Sequence, residues 1–200
     1  AGFTKVNDAL VYTKVVPPYF DLATGQVRGL VTVTLVNVSS CKACSDLVPV
    51  VQQLRQIIKI GDFKTVDSES AEGKRLVAEY SMARLPGLLL SSDINEYDAA
   101  AQIAKTGTQK KGGVIALGAN APYLNTSTGK VVGVTQVILL ADSSCTGCYD
   151  PSFHTFILKS NYQIYSESTR TVDISSAEGK ALVSKYSITA VPTFLLTGDV

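Results

Sequence analysis

The 200-residue chain has little charge, no tryptophan, a single histidine and only four cysteines. Each shortage excludes something. Charged residues are 18% of the chain and balance to a net charge of +1, with no basic or acidic block. Electrostatics therefore gives no reason to expect nucleic acid or a charged membrane surface as a partner. No apolar run approaches the roughly eighteen residues a membrane helix needs. The longest, around Leu30 to Val38, is broken by threonine and asparagine, so no membrane insertion is expected. Four cysteines are too few and too clustered for a disulfide scaffold, because a bridge inside Cys-x-x-Cys closes a tiny loop and staples nothing distant. Their value must be local chemistry. Ala1-Gly2 opens without a methionine or a charged-then-apolar leader; a removed signal peptide, a tag remnant or a domain cut would leave such an end. Low charge beside plentiful serine, threonine and tyrosine leans towards an extracytoplasmic setting: periplasm, extracellular space or secretory lumen.

What is present is organised around Val31 to Pro49, VTVTLVNVSSCKACSDLVP, which reads as a buried strand, a two-serine bend and Cys41-Lys42-Ala43-Cys44 opening a helix. Thr135 to Pro151, TQVILLADSSCTGCYDP, says nearly the same again. Pro18-Tyr19, Thr24-Gly25, Val27 and Gly29 recur as Pro122-Tyr123, Thr128-Gly129, Val131 and Gly133, an offset of 104 (122 − 18) that the cysteines keep (145 − 41). After a two-residue insertion, Thr65-Val66-Asp67 returns as Thr171-Val172-Asp173 and Ser70-Ala71-Glu72-Gly73-Lys74 as Ser176-Ala177-Glu178-Gly179-Lys180. Tyr80-Ser81, Pro86 and Leu89-Leu90 then return as Tyr186-Ser187, Pro192 and Leu195-Leu196. The chain reads as a tandem duplication, residues 1–119 and 120–200.

Within a unit the pattern predicts βαβαβ. A strand over Leu30–Val38 enters a helix from near Cys41, whose Leu47, Val50, Val51, Leu54, Ile57 and Ile58 fit a 3.6-residue period. A short strand follows at Phe63–Val66, then a serine-capped helix over Ser70–Tyr80 with Glu72 in its first turn, then an apolar strand Leu85–Leu90. Alternation of strands and helices implies a mixed, partly parallel sheet flanked by helices. Asn95–Lys105 reads as a further helix and Val114–Leu117 as a strand. Only eight residues follow Pro192, so the second unit lacks their counterparts: either the sequence ends early or Ala9–Lys14, which precedes the first Pro-Tyr, fills a gap elsewhere.

In these features each unit resembles a thioredoxin-fold domain: strand, Cys-x-x-Cys at a helix start, strand ending in aspartate, helix ending in tyrosine, then an apolar-Pro-apolar strand. Lys185-Tyr186-Ser187-Ile188-Thr189-Ala190-Val191-Pro192-Thr193-Phe194 is similar to the family's stretch through its cis-proline, and Pro49 stands five residues after Cys44, where thioredoxins carry a helix-kinking proline. The resemblance covers about residues 28–92 and 132–199, and the plan of two tandem units resembles protein disulfide isomerase-like oxidoreductases. Departures are clear. Ser40 and Ser144 stand where the family has tryptophan before the first cysteine, and Leu35 and Leu139 where it buries an aspartate. Pro151 lies three residues after Cys148 rather than five.

The resemblance implies α/β architecture in two thioredoxin-like units with Cys-x-x-Cys at each helix N-terminus, and thiol–disulfide exchange with protein substrates or a redox partner protein, without a cofactor. Cys41 and Cys145 would attack and Cys44 and Cys148 would resolve the mixed disulfide. A helix start would lower the attacking thiol's pKa through the macrodipole. Lys42 adds a positive charge that Thr146-Gly147 lacks, so Cys41 is expected to be the more acidic. Pro86 and Pro192 would carry cis bonds, and with Leu85 and Val191 would pair with extended substrate backbone. Alternatives stand beside this: permanently oxidised structural pairs on a peptide-binding module, a zinc site using both pairs, or an ordinary trans proline at Pro86. His154, six residues after Cys148, reads as a surface or groove side chain rather than a thiol tuner; Asp46 and Asp150 read as solvated first-turn acids. Asn37-Val38-Ser39 and Asn125-Thr126-Ser127 match the glycosylation triplet. Asn37 falls in a core strand, and Asn125 in a loop that a secretory context would expose.

Overall fold

The computed structural model describes every residue except Ala1, Thr13, Gln163 and Val200; Thr13 falls in the Ala9–Lys14 stretch noted above and so lies outside the described residues. The chain divides into two compact units, residues 1–40 with 46–119, and residues 41–45 with 120–200. None of its helices is long and apolar enough to cross a membrane, among the described residues.

In the first unit β1 (Phe3–Val6) and β2 (Ala9–Tyr12) form an antiparallel hairpin, and β3 (Tyr19–Asp21) and β4 (Gln26–Arg28) another. Then come β5 (Val31–Asn37), α1 (Val48–Leu54), β6 (Ile60–Asp67), α2 (Ala71–Glu79), β7 (Arg84–Leu85) and β8 (Gly87–Leu90). A 3₁₀ turn (Ser92–Glu96), α3 (Ala100–Thr106), β9 (Thr108–Gln109) and β10 (Ile115–Gly118) complete it. The main sheet has the order β6-β5-β8-β10-β9, with β5 parallel to β6 and antiparallel to β8. A central strand covered on both faces is apolar along its whole length. β5 is VTVTLVN, with Val31, Val33 and Val36 fully buried.

The second unit contains the hairpin β11 (Tyr123–Asn125) and β12 (Lys130–Val132), then β13 (Val134–Ala141), α4 (Phe153–Tyr162), β14 (Tyr165–Asp173), α5 (Ala177–Lys185) and β15 (Thr193–Gly198). Its sheet order is β14-β13-β15, β13 running parallel to β14 and antiparallel to β15. Side chains alternate across β13. Val137 and Leu139 pack with Leu158 of α4, while Ile138 and Leu140 pack with Val172 and Leu182 on the other face. The parallel ladder slips after Val31 in the first unit and after Thr135 in the second, positions 104 apart.

The helices α2 and α5 start as the sequence predicts: Ser70 and Ser176 accept from the amides of Gly73 and Gly179, both at 2.9 Å. A Cβ at Gly73 or Gly179 would meet the carbonyl oxygen of Asp67 or Asp173 at 2.0 or 2.1 Å, so only glycine lets the helix approach the strand end.

Two expectations need correction. Neither Cys-x-x-Cys sits at a helix N-terminus: α1 begins seven residues after Cys41 and α4 eight after Cys145. Proline supplies no N–H and fits a helix only in its first turn. Pro49 therefore marks the start of α1 rather than a kink inside it, with the Asp46 Oδ1 accepting the Val48 amide at 2.8 Å. Pro151 acts likewise ahead of α4, where Asp150 Oδ1 accepts the Ser152 amide at 2.8 Å. The other correction is local: Asn95–Lys105 is a 3₁₀ turn ending at Glu96 followed by α3 from Ala100, not one helix.

Candidate functional site

The cysteine pairs lie in bends that follow the C-terminal ends of β5 and β13 in the chain. Cys41 is bonded to Cys44 and Cys145 to Cys148, with Cα–Cα separations of 5.4 and 5.5 Å. Each pair is closed on itself, and among the described residues no three His, Cys, Asp or Glu side chains gather as a metal site would need. Cys41, Cys44 and Cys145 are half-buried and Cys148 is exposed. The Cys44 amide donates to Cys41 Sγ at 3.1 Å. Residues 41–45 belong by their contacts to the second unit, where Ser45 donates its amide to the Pro122 carbonyl (2.8 Å) and its hydroxyl to that of Asn120 (3.1 Å).

The proline segments differ between units. Leu85–Pro86 and Val191–Pro192 are cis, as are Pro17–Pro18 and Ala121–Pro122 in the repeated Pro-Tyr turns. Leu85 and Pro86 are buried, and the Pro86 carbonyl accepts the Ala119 amide at 3.0 Å. Val191 and Pro192 are half-exposed. There the Tyr149 hydroxyl, one residue past Cys148, donates to the Pro192 carbonyl at 2.8 Å. With that proton committed, the 3.1 Å contact between Tyr149 and His154 Nε2 is a donation from the ring. His154 also stacks at a tilt on Phe194, 5.1 Å between centroids. The lone histidine thus packs between Tyr149 and Phe194, beside Pro192.

Sequence reasoning missed the two aspartates at the strand ends. Asp67 Oδ2 accepts the amide (3.1 Å) and hydroxyl of Ser39, and its Oδ1 accepts the Glu69 amide at 2.8 Å. Asp173 Oδ2 accepts the Ser143 amide at 2.7 Å, and its Oδ1 the amide and hydroxyl of Ser175. These donors hold both carboxyls below the usual carboxylate range, Ser39 contributing most at Asp67 and Ser175 most at Asp173. The repeated Asp-x-x-Ser-Ala-Glu-Gly was the available signal. Asp46 and Asp150 make only the helix-start bonds described above, and the Asp150 carboxyl is lowered by its Ser152 donor. Asn125 Oδ1 accepts the Ser127 and Thr128 amides within its own turn, and Asn37 ends β5 half-buried.

No family model matches the chain, and no curated protein matches it. Among solved structures the chain is similar to the alkylhydroperoxide reductase AhpF of Enterococcus faecalis: 16% identity over 85% of this chain and 82% of that one, with a TM-score of 0.25. That likeness is too slight to bear on fold or function.

Proposed function

We propose that this protein exchanges disulfides with protein substrates through two thioredoxin-like units, one Cys-x-x-Cys pair in each repeat, in a compartment outside the reducing cytosol. The observation that carries the reading is the doubled arrangement itself. In both repeats a disulfide of sequence separation three follows an interior strand that runs parallel to one neighbour and antiparallel to the other. A bridge this short confers less loop-closure stability than one joining distant segments, which favours a value in opening and closing. In the reduced protein the Cys41 or Cys145 thiolate attacks a substrate disulfide, expelling one substrate thiolate and forming a mixed disulfide. Cys44 or Cys148 then attacks the cysteine sulfur of that bond, releasing the second substrate thiolate; the substrate gains two electrons and the pair is oxidised. Val191 and Pro192, half-exposed beside Tyr149, are the more open place for substrate backbone; the buried Leu85 and Pro86 are the less open.

Trapping tests this. Cys44→Ser and Cys148→Ser remove the resolving thiol, so a disulfide-bonded peptide should accumulate as a mixed disulfide on Cys41 or Cys145, visible as an intact-mass increment that dithiothreitol removes. No adduct on either variant overturns the reading. A second reading keeps a specific observation: both pairs lie off the helix ends, without the macrodipole that would acidify a thiol. Under it the disulfides are structural and the half-exposed Val191–Pro192 segment binds peptide without exchange.

A further inference from the structure

The carboxylates of Asp67 and Asp173 join two pieces of backbone that are far apart in sequence and adjacent at the site. One oxygen of each takes the amide of the first serine in the Ser-Ser bend before the first cysteine. The other takes an amide in the turn that opens the next helix. The backbone carbonyl of the same aspartate accepts the helix-capping hydroxyl, of Ser70 at 2.7 Å and of Ser176 at 2.6 Å. Each aspartate also lies against the glycine that allows the helix to come so close. Ser143 is two residues before Cys145, so the carboxylate fixes where the cysteine bend begins. In the second unit Asp142 adds a nearer hold, accepting the Ser144 amide at 2.9 Å and hydroxyl at 2.6 Å.

Resting on the exchange reading above, we propose that Asp173 and Asp67 are positioning residues for the cysteine pairs: each staples the Ser-Ser bend to the following helix and so holds the two sulfurs within bonding reach. A charge-assisted bond to a carboxylate is roughly twice as strong as a neutral one. Pre-organisation of the bend raises the effective concentration of one thiol near the other, which favours the closed disulfide over the open dithiol. Loss of the staple lowers that effective concentration, and the pair becomes easier to reduce. In the first unit the Ser39 hydroxyl adds a second bond to the same carboxylate.

The test is the dithiothreitol concentration that half-reduces each pair in the full chain, followed by alkylation and peptide mass. The cysteine pair of the other repeat serves as reference within the same molecule. In Asp173→Ala, Cys145–Cys148 should be half-reduced at about five- to tenfold less dithiothreitol, while Cys41–Cys44 stays within about twofold of wild type. Asp173→Asn, which keeps one carbonyl oxygen, should fall between, and Asp67→Asn should move only Cys41–Cys44. If Asp173→Ala does not fold, the two asparagine variants carry the test. A residue that served stability alone would lower the melting temperature without shifting one pair selectively; an unshifted Cys145–Cys148 pair, or equal shifts at both pairs, overturns the staple. Failure of the mixed-disulfide trap with a normal shift here would sink the exchange reading and leave the staple standing.

Discussion

The two repeats carry the same cysteine bend and the same carboxylate beneath it, yet they bury their third strand differently. In the first unit β8 lies between β5 and β10 and all four of its residues are buried, Leu88 and Leu90 to 0% exposure. In the second unit β15 pairs with β13, and residues 193–197 are half-exposed. Asp93 and Asp199 occupy matching places, accepting the amides of Gly29 (2.9 Å) and Gly133 (3.1 Å). Past that point the first unit adds Tyr97, whose hydroxyl accepts the Lys59 amide (2.9 Å) and donates to the Gly29 carbonyl (2.7 Å). In the second unit the parallel ladder instead reaches one residue further, pairing Val134 with Tyr165. Local sequence builds the bend and the capped helix in both places, and the aspartate staple joins them across 28 and 30 residues; burial of the third strand depends on what later chain is laid against it.

That contrast can be broken by core truncation. Leu90→Ala removes a fully buried side chain and should cost about 3–4 kcal/mol, while Leu196→Ala at the matching half-exposed position should cost about 1–2 kcal/mol, measured by urea unfolding. Equal costs would mean that the strands are equally buried in solution. A smaller effect of opposite sign is expected at Ser68, which is 4% exposed with a hydroxyl that lacks a hydrogen-bond partner where the second unit has Ile174. Ser68→Ala should stabilise by about 0.5–1 kcal/mol.

Glu96 gives the first unit a pH window that the second does not share. The Tyr19 hydroxyl (2.7 Å) and then Arg28 (2.6 Å) hold the Glu96 carboxyl below its usual range, while Glu96 raises Tyr19. For the lowered carboxyl the contribution is complete above the unfolded value, about pH 4.3, and is lost as pH falls through the folded one. For the raised phenol it is complete below about pH 10 and is lost above that. The matching positions in the second unit are Tyr123 and Val132, without an arginine. Amide exchange in the 19–28 hairpin should therefore quicken at both extremes, and Glu96→Gln should flatten both limbs. The smallest effect concerns the thiols. With the helix macrodipole withdrawn from both, Lys42 beside Cys41 and Asp142 in the bend before Cys145, where the first unit has Val38, are charges that distinguish the two sites. A lower pKa for Cys41 than for Cys145, with the gap narrowed in Lys42→Ala, is the expected result of thiol titration.

Much of this was legible in the residues. The 104-residue offset located both central strands, and Ser70 with Glu72 and Ser176 with Glu178 located the two capped helices. The starts of α1 and α4 were misread because apolar periodicity continues back through Leu47, which is buried although it precedes the helix. Pro49 and Pro151 were the correct signal, since proline belongs to a first turn. The aspartate staple was visible only as a repeated letter, because its bonds join Asp67 to Ser39 across 28 residues and Asp173 to Ser143 across 30.

The most direct test of the central claim is equilibration of each cysteine pair with a glutathione buffer, in wild type and in the double variants Cys41→Ser/Cys44→Ser and Cys145→Ser/Cys148→Ser. The account predicts that at least one pair reaches a defined thiol–disulfide ratio within minutes under native conditions. Both pairs remaining oxidised until denaturant is added would contradict it, and would leave two structural disulfides.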